Sequence, residues 1–180
     1  IPENNMLLQK NIVKVNSDNV DFTKSDIQPC IVQSENQNIL GFLPLQWVYY
    51  VTENKTDKKF YNWINRTIGK KPVYLSEELK ENSISQIRKY LNDIGYFNSG
   101  ISTVINNKKG IAKITYNIYP ARPYIIDSVS YKISDSTILD YILEIEPTLP
   151  IKKGEIYNAF NFDEERDLIT EHLNNNGYFY

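Results

Sequence analysis

"QIRKYLNDIGYFNSG" at 86–100 and "LITEHLNNNGYFY" at 168–180 both spell Leu-Asn-x-x-Gly-Tyr-Phe. Glycine just after an apolar, helix-forming run accepts the left-handed conformation that closes a helix. A chain that repeats that ending with the same aromatic pair behind it repeats a way of leaving the helix. Residues 69–97 and 151–179 align without a gap at an offset of 82, with identities at Lys70/Lys152, Lys71/Lys153, Ile87/Ile169, Leu91/Leu173, Asn92/Asn174, Gly95/Gly177, Tyr96/Tyr178 and Phe97/Phe179. The matches gather where the helix packs and ends. That is the mark of duplicated architecture, with Gly95, Tyr96, Gly177 and Tyr178 as its structural caps.

Outward from the first copy, Ile84, Ile87, Leu91 and Ile94 keep near-helical spacing before Gly95. After it, "GISTVINNKKGIAKITYNIY" (100–119) predicts a hairpin around "NNKKG", with Ile114, Tyr116 and Ile118 alternating against Lys113, Thr115 and Asn117. Upstream, "LLQKNIVKV" (7–15) predicts a strand. "DFTKSDIQPCIVQ" (21–33) predicts a short helix capped by Ser25 or Thr23, with Ile27, Ile31 and Val32 inward and Pro29 near its first turn.

"PARP" (120–123) is a stiff connector, and the pattern then restarts. "YIIDSVSYKI" (124–133) is strand-like. "STILDYILEI" (136–145) is a helix with Ser136 as N-cap and Ile138, Leu139 and Ile142 inward. "FNFDEERDLITEHLNNN" (160–176) is a helix, acidic in its first turn and ended by Gly177.

Each unit thus reads strand, helix, helix, strand, strand. The expected fold class is α+β: tandem βααββ units, each a small mixed three-stranded sheet covered by two helices. The first spans 1–121. The second spans 122–180 and lacks its C-terminal hairpin beyond an onset at 178–180, so the polypeptide is expected to continue with the missing strands. Superposing Val13 on Val129 offsets the first strands by 116 rather than 82. The excess places an insertion at about 34–68, between the two helices of the first unit. It holds the apolar run "GFLPLQWVYYV" (41–51) and a helix over 57–69, with Phe60, Trp63, Ile64 and Ile68 on one face and Gly69 at its end. Phe42, Trp47, Tyr49 and Tyr50 are either core of that insertion or a partner-docking surface.

Composition narrows the function. The 180 residues are 41% hydrophobic and 23% charged, enough apolar matter for buried cores. A net charge of −2 supplies no basic field for nucleic acid. Cys30 is the single cysteine, so the chain has no internal disulfide and no multi-cysteine metal cluster. The run at 41–51 contains Pro44 and Gln46 and is far shorter than the ~20 residues of a membrane-spanning helix. The opening Ile1-Pro2, without Met, reads as a piece of a longer protein.

The order of elements, the Gly-Tyr-Phe ending ahead of a hairpin and the restart after a Pro connector resemble the POTRA (polypeptide-transport-associated) domain. The nearest likeness is to the periplasmic arm of the BamA/TamA family of outer-membrane assembly factors. It runs through "NILGFLPLQWVYY", "FYNWINRTIGKKPVYLSEEL", "IRKYLNDIGYFNS", "AKITYNIYPARPYIIDSVSY" and "PIKKGEIYNAFNFDEERDLITEHLNNNGYFY". One departure is that no membrane β-barrel follows, so barrel insertion cannot be assigned to this piece.

The resemblance implies a non-enzymatic receptor segment at the periplasmic face of the outer membrane. Its implied partners are unfolded outer-membrane protein chains, a C-terminal membrane β-barrel in the full-length protein and accessory lipoproteins. By the same analogy the client-binding edge is the strand at about 100–106, with Ile101, Thr103 and Ile105 alternating against Ser102 and Val104 and the helix at 84–94 as the other wall. The alternatives are a POTRA-like module of a two-partner-secretion transporter or a division protein, and an enzyme with an unrecognised site.

Nothing in the residues advertises that last reading. There is no phosphate-binding glycine loop, no Ser-His-Asp set and no zinc spacing, and no cofactor is implied. His172 is the lone histidine and reads as packing or surface. Asp163, Glu164 and Glu165 suit a helix start, and "EELKE" (77–81) reads as a solvated helix face. The sequons at Asn54 and Asn65 read as chance matches.

Overall fold

Three strands of β-branched and aromatic residues build the central sheet. The computed structural model describes residues 6–36, 38–39, 43–44, 73–108 and 110–179. The insertion residues Phe42, Trp47, Tyr49 and Tyr50 and the expected helix at 57–69 lie outside the described residues. Two compact units emerge. One comprises Ile1–Ile87 with Gly100–Tyr119, the other Arg88–Ser99 with Pro120–Tyr180.

In the first unit, β1 (Leu7–Val15) runs parallel to β5 (Ile111–Tyr119), and β4 (Gly100–Lys108) runs antiparallel to β5. The sheet order is β1-β5-β4, a mixed sheet in an α+β fold. The central strand carries the core: Ala112, Ile114, Tyr116 and Ile118 are fully buried. Cross-strand partners share a face. The buried face therefore consists of three rows: Val15–Ile118–Ile101, Val13–Tyr116–Thr103 and Asn11–Ile114–Ile105.

Helix α1 (Lys24–Ile27) starts at Thr23, whose N–H and hydroxyl both donate to the Asp26 carboxylate at 2.7 and 2.8 Å. Asp26 is held below the usual carboxylate range by those bonds. A 3-10 turn, Gln28–Cys30, follows with Pro29 in its first positions, where the missing N–H has no helical partner to lose. The tighter turn rotates the chain away from the expected helical face. Ile27 is fully buried, Ile31 is half-buried, and Val32, expected inward, is exposed.

Two short strands, β2 (Asn38–Ile39) and β3 (Leu43–Pro44), pair antiparallel. Helix α2 (Glu77–Asp93) begins with two acidic residues at its positive end and buries Ser83, Ile87 and Leu91. Glu77, Glu78 and Glu81 are exposed, as expected of a solvated face at 77–81, but Lys80 departs from it. Lys80 is buried and paired with Glu77 and, at 3.4 Å, with Glu81. Its long aliphatic stem can lie against apolar surface while the ammonium reaches the carboxylates.

A polar clasp closes the outer side of β1. The Asn36 carboxamide donates to Leu8 O and Val73 O, both at 2.6 Å, and accepts from Val73 N–H at 2.8 Å. Gln33 repeats the motif: its amide donates to Tyr74 O at 2.5 Å and accepts from Ser76 N–H at 3.2 Å. Leu8 N–H also donates to Val73 O, and Leu75 N–H to Met6 O. Both amide side chains are buried, and without the Asn36 carboxamide the Val73 N–H loses its partner.

In the second unit, α3 (Ser136–Ile145) and α4 (Phe160–Asn175) supply the helical layer. The N-cap of α3 is Asp135 rather than Ser136. Its carboxylate accepts from Thr137 N–H and Ile138 N–H, and a charged acceptor suits the helix dipole better than a hydroxyl. The segment at 124–133, expected as a strand, forms only an isolated bridge, Ile125 to Ile156. Val129, Tyr131 and Ile133 keep the strand-like alternation of burial. No described residue forms a ladder with 127–133, and without a ladder alternation is not a strand.

The two repeat endings close in the same way. Gly95 and Gly177 adopt φ of 87° and 89°. Gly95 N–H donates to Asn92 O and Tyr96 N–H to Leu91 O; Gly177 N–H donates to Asn174 O and Tyr178 N–H to Leu173 O. These are the paired bonds of a Schellman ending, which is why Leu, Asn, Gly and Tyr recur as a set. The surroundings differ. A Cβ on Gly95 would lie 2.5 Å from Tyr157 O, whereas one on Gly177 meets nothing within 4 Å.

Gly95→Ala is therefore expected to lower stability by clearly more than the ~1 kcal/mol that left-handed strain costs Gly177→Ala. Urea denaturation of the two variants checks the order, and equal midpoints would contradict it. Asn36→Ala is expected to cost about 1–3 kcal/mol, chiefly through the orphaned Val73 N–H, read in the same experiment.

Candidate functional site: an open sheet edge and an aromatic pocket

A three-stranded sheet has two edges, and here they are not alike. The β1 edge is occupied by residues 73–75, by Asn36, and by the Glu35 carboxylate, which accepts from Asn11 N–H at 2.6 Å. The β1 ladder also carries an irregularity between Leu8 and Lys10. By contrast β4 pairs with β5 over nine consecutive residues without a register shift. Among the described residues nothing pairs with its other side.

Alternate residues of an edge strand aim N–H and C=O groups outward, ready for another chain. The usual protections against pairing are proline, a bulge or inward charge. The sequence "GISTVINNK" contains none of these before Lys108.

The residues singled out from sequence fall on this strand. Ile101, Thr103 and Ile105 occupy the core-side face and are half-buried, although their β5 partners Ile118, Tyr116 and Ile114 are fully buried. The core layer thins toward the edge. Ser102, Val104 and Asn106 face the other way and are exposed. The cap residues Gly95 and Tyr96 are buried in the second unit, while Gly177 is exposed and Tyr178 half-buried.

The second unit holds an apolar pocket of about 450 Å³, lined by Phe97, Tyr124, Ile125, Ile126 and Tyr157. Phe97 stands edge-on to Tyr124 at 4.9 Å and tilted to Tyr157 at 5.3 Å, and Phe162 adds a ring 5.7 Å from Tyr157. Backbone bonds brace the walls: Tyr124 N–H to Gly95 O, Tyr157 N–H to Tyr124 O and Ile126 N–H to Glu155 O. The connector 120–123 is tied down too, with Ala121 N–H on Ser99 Oγ. Sequence reading saw Phe97 as a repeat residue and missed the pocket, since its walls come from three separated segments.

Titratable groups take structural posts. Glu165 is not a helix-start carboxylate in solvent. It is buried, accepting from Tyr131 OH at 2.9 Å and Ile151 N–H at 3.1 Å. Burial, then the Glu165 bond and charge, push the Tyr131 phenol up to about 12. His172 Nε2 lies 3.6 Å from the Glu144 carboxylate, beside the Tyr141 ring. Cys30 is half-buried, with its thiol pushed up by desolvation. Among the described residues no three His, Cys, Asp or Glu side chains converge as a metal ion requires, and no helix is long and apolar enough to cross a membrane.

The profile of the POTRA family, described as "surface antigen variable number repeat", matches residues 50–121. That stretch is similar to a POTRA repeat. The match takes in α2, β4 and β5, so the open edge lies inside it. No curated protein sequence matches the chain. Among solved structures, POTRA1-2 of the periplasmic domain of Omp85 from Anabaena is similar at 12% identity, covering 97% of this chain and 82% of that one with a TM-score of 0.35. The POTRA3-5 structure of BamA from Haemophilus influenzae is similar at 13% identity, covering 99% and 89% with a TM-score of 0.31.

Because Tyr131 holds its proton more tightly when folded, its contribution is complete below about pH 10 and is lost as pH rises toward 12. Near-ultraviolet circular dichroism of the second unit's tyrosines is expected to change across that window. Tyr131→Phe should remove that component of the change; a full transition in the variant would contradict the assignment.

Proposed function

We propose that this chain is the periplasmic POTRA segment of an outer-membrane protein assembly or translocation factor of the BamA/TamA kind. POTRA domains are interaction modules rather than catalysts, and the described residues fit that role. In this reading the chain contains two POTRA-like units, at 1–121 and 122–180. It captures unfolded outer-membrane chains by strand addition and presents them to a membrane β-barrel of the full-length protein.

One observation carries the proposal. Among the described residues, buried amide side chains seal one edge of the sheet, and the other is nine regular residues with no partner on their outer side. Strand addition satisfies backbone groups that every polypeptide has, so it accepts many clients without reading each sequence. Ile101, Thr103 and Ile105 are the proposed contact residues. The aromatic residues Phe42, Trp47, Tyr49 and Tyr50 are a proposed second surface for an accessory protein.

Proline on β4 tests the reading. N–H direction alternates along a strand, so of Thr103→Pro and Val104→Pro one removes an outward donor and the other a ladder bond to β5. The outward variant is expected to keep its circular dichroism and thermal midpoint while losing most photo-crosslinking to a synthetic strand of about ten residues patterned as a membrane β-strand. Undiminished crosslinking in the folded variant would overturn the proposal.

A further inference from the structure

We infer that the chain associates with a second copy of itself, the lysine-bearing face of the sheet in one copy taking the outer face of α4 in the next. This stands apart from the strand-addition reading, which concerns backbone groups at the β4 edge.

Opposite the buried face of the sheet, side chains form apolar and basic rows that alternate along the strands. Ile111 comes first, then Lys10 beside Lys113, then Ile12–Thr115–Val104, then Lys14. Two strand residues separate each row from the next, about 7 Å. Lys10, Lys14 and Lys113 are exposed, and none has an ion-pair partner among the described residues. Lys10 and Lys113 are register partners, so like charges lie side by side until a carboxylate approaches them from above the sheet. Thr115 is buried, but Val104 is exposed and Ile12 and Ile111 are half-buried, so apolar area remains to be covered. β4, β5 and the turn between them carry lysine at 108, 109 and 113 and no carboxylate.

Helix α4 supplies the complement. Phe160, Glu164, Asp167, Leu168 and Glu171 recur at spacings of three and four, which puts them on one stripe of the helix. All five are exposed, and Phe160 and Leu168 are large apolar side chains left in solvent. Glu165, Ile169 and Leu173, which are buried or half-buried, lie on the other side. Arg166 pairs with Asp163 at 2.9 Å, off the stripe. Glu164, Asp167 and Glu171 have no ion-pair partner among the described residues.

Along the stripe the order is apolar, acidic, apolar, acidic, with about 5–6 Å between successive groups. The two series register. Phe160 meets Ile111, Glu164 and Asp167 meet Lys10 and Lys113, Leu168 meets Ile12 and Val104, and Glu171 meets Lys14. The flexible lysine stems absorb the small difference in spacing. A second copy is the occupant because this chain itself carries the matching face. Sheet-to-helix contact is heterologous, so each copy keeps a face free for the next. Exposed ion pairs are individually weak, and one helix face is smaller than a stable interface needs. The association is therefore weak and sensitive to salt.

Sedimentation velocity of the full chain, from micromolar to near-millimolar concentration, tests the inference at about 20 and about 300 mM salt. The weight-average mass is expected to rise with concentration at low salt and to stay that of one chain at high salt. Reversing the sheet charges (Lys10→Glu with Lys113→Glu) or the helix charges (Glu164→Lys with Asp167→Lys) should lower the association constant about tenfold. All four residues are exposed, and circular dichroism checks that each variant keeps its fold. Combining the two reversals should restore association, which only direct pairing of the two faces predicts. A mass independent of concentration at low salt overturns the inference. So does association that survives high salt, a reversal of either face that changes nothing, or a combined variant that stays monomeric.

Discussion

The Asn36 carboxamide, bridging Leu8 and Val73, decides what the sheet can do. A small sheet with two open edges would pair promiscuously, including with copies of itself. Here three bonds from one side chain, with Gln33 beside it, bring segment 73–76 onto β1 and close that edge. The same bonds place residues 36 and 73 side by side. A connection whose ends are held together costs only slowly more closing entropy as it lengthens. An insertion between those two points is therefore compatible with the strand order β1-β5-β4.

The repeated ending shows how far local chemistry carries a structure. Leu91–Tyr96 and Leu173–Tyr178 make the same two backbone bonds around a glycine at nearly the same φ. Yet Ile87, Leu91 and Tyr96 are buried, whereas Ile169, Leu173 and Tyr178 are half-buried. The ending therefore does not depend on being packed. Packing adds a separate demand at the first copy, where Gly95 lies against the Tyr157 carbonyl and no side chain fits. The first glycine answers to conformation and to space; the second answers to conformation alone.

Features set by near neighbours were legible in the sequence: the hairpin from its alternation, α2 and α4 from apolar spacing, both endings from glycine. The mixed sheet was expected through the resemblance to the POTRA domain rather than from spacing. Features set by distant partners were not. The clasp joins residues 28 to 43 positions apart, and nothing about Asn36 or Gln33 marks them as buried. Glu165 looked like one more carboxylate at a helix start, because its partners Tyr131 and Ile151 belong to other segments. Asp135 displaced Ser136 as a cap by a single position, where its extended backbone and its carboxylate both suit the helix start. For the edge, family analogy alone pointed to 100–106. The contrast with a sealed β1 came only from the sheet.

That contrast sets the strength of the proposed interaction. A strand added to β4 gains a handful of backbone bonds, each worth about 0.5–1.5 kcal/mol net. Ordering an unfolded segment costs about 2–5 kcal/mol. Backbone pairing alone therefore leaves little net affinity, and a client held only that way would leave quickly. The decisive increment has to come from side chains, and on β4 the half-buried Ile101, Thr103 and Ile105 are where burial is still to be gained. In the proposed reading such an edge would hold a client briefly and still let it go. A receptor that passes chains onward needs that combination; a permanent subunit interface would need the row already covered.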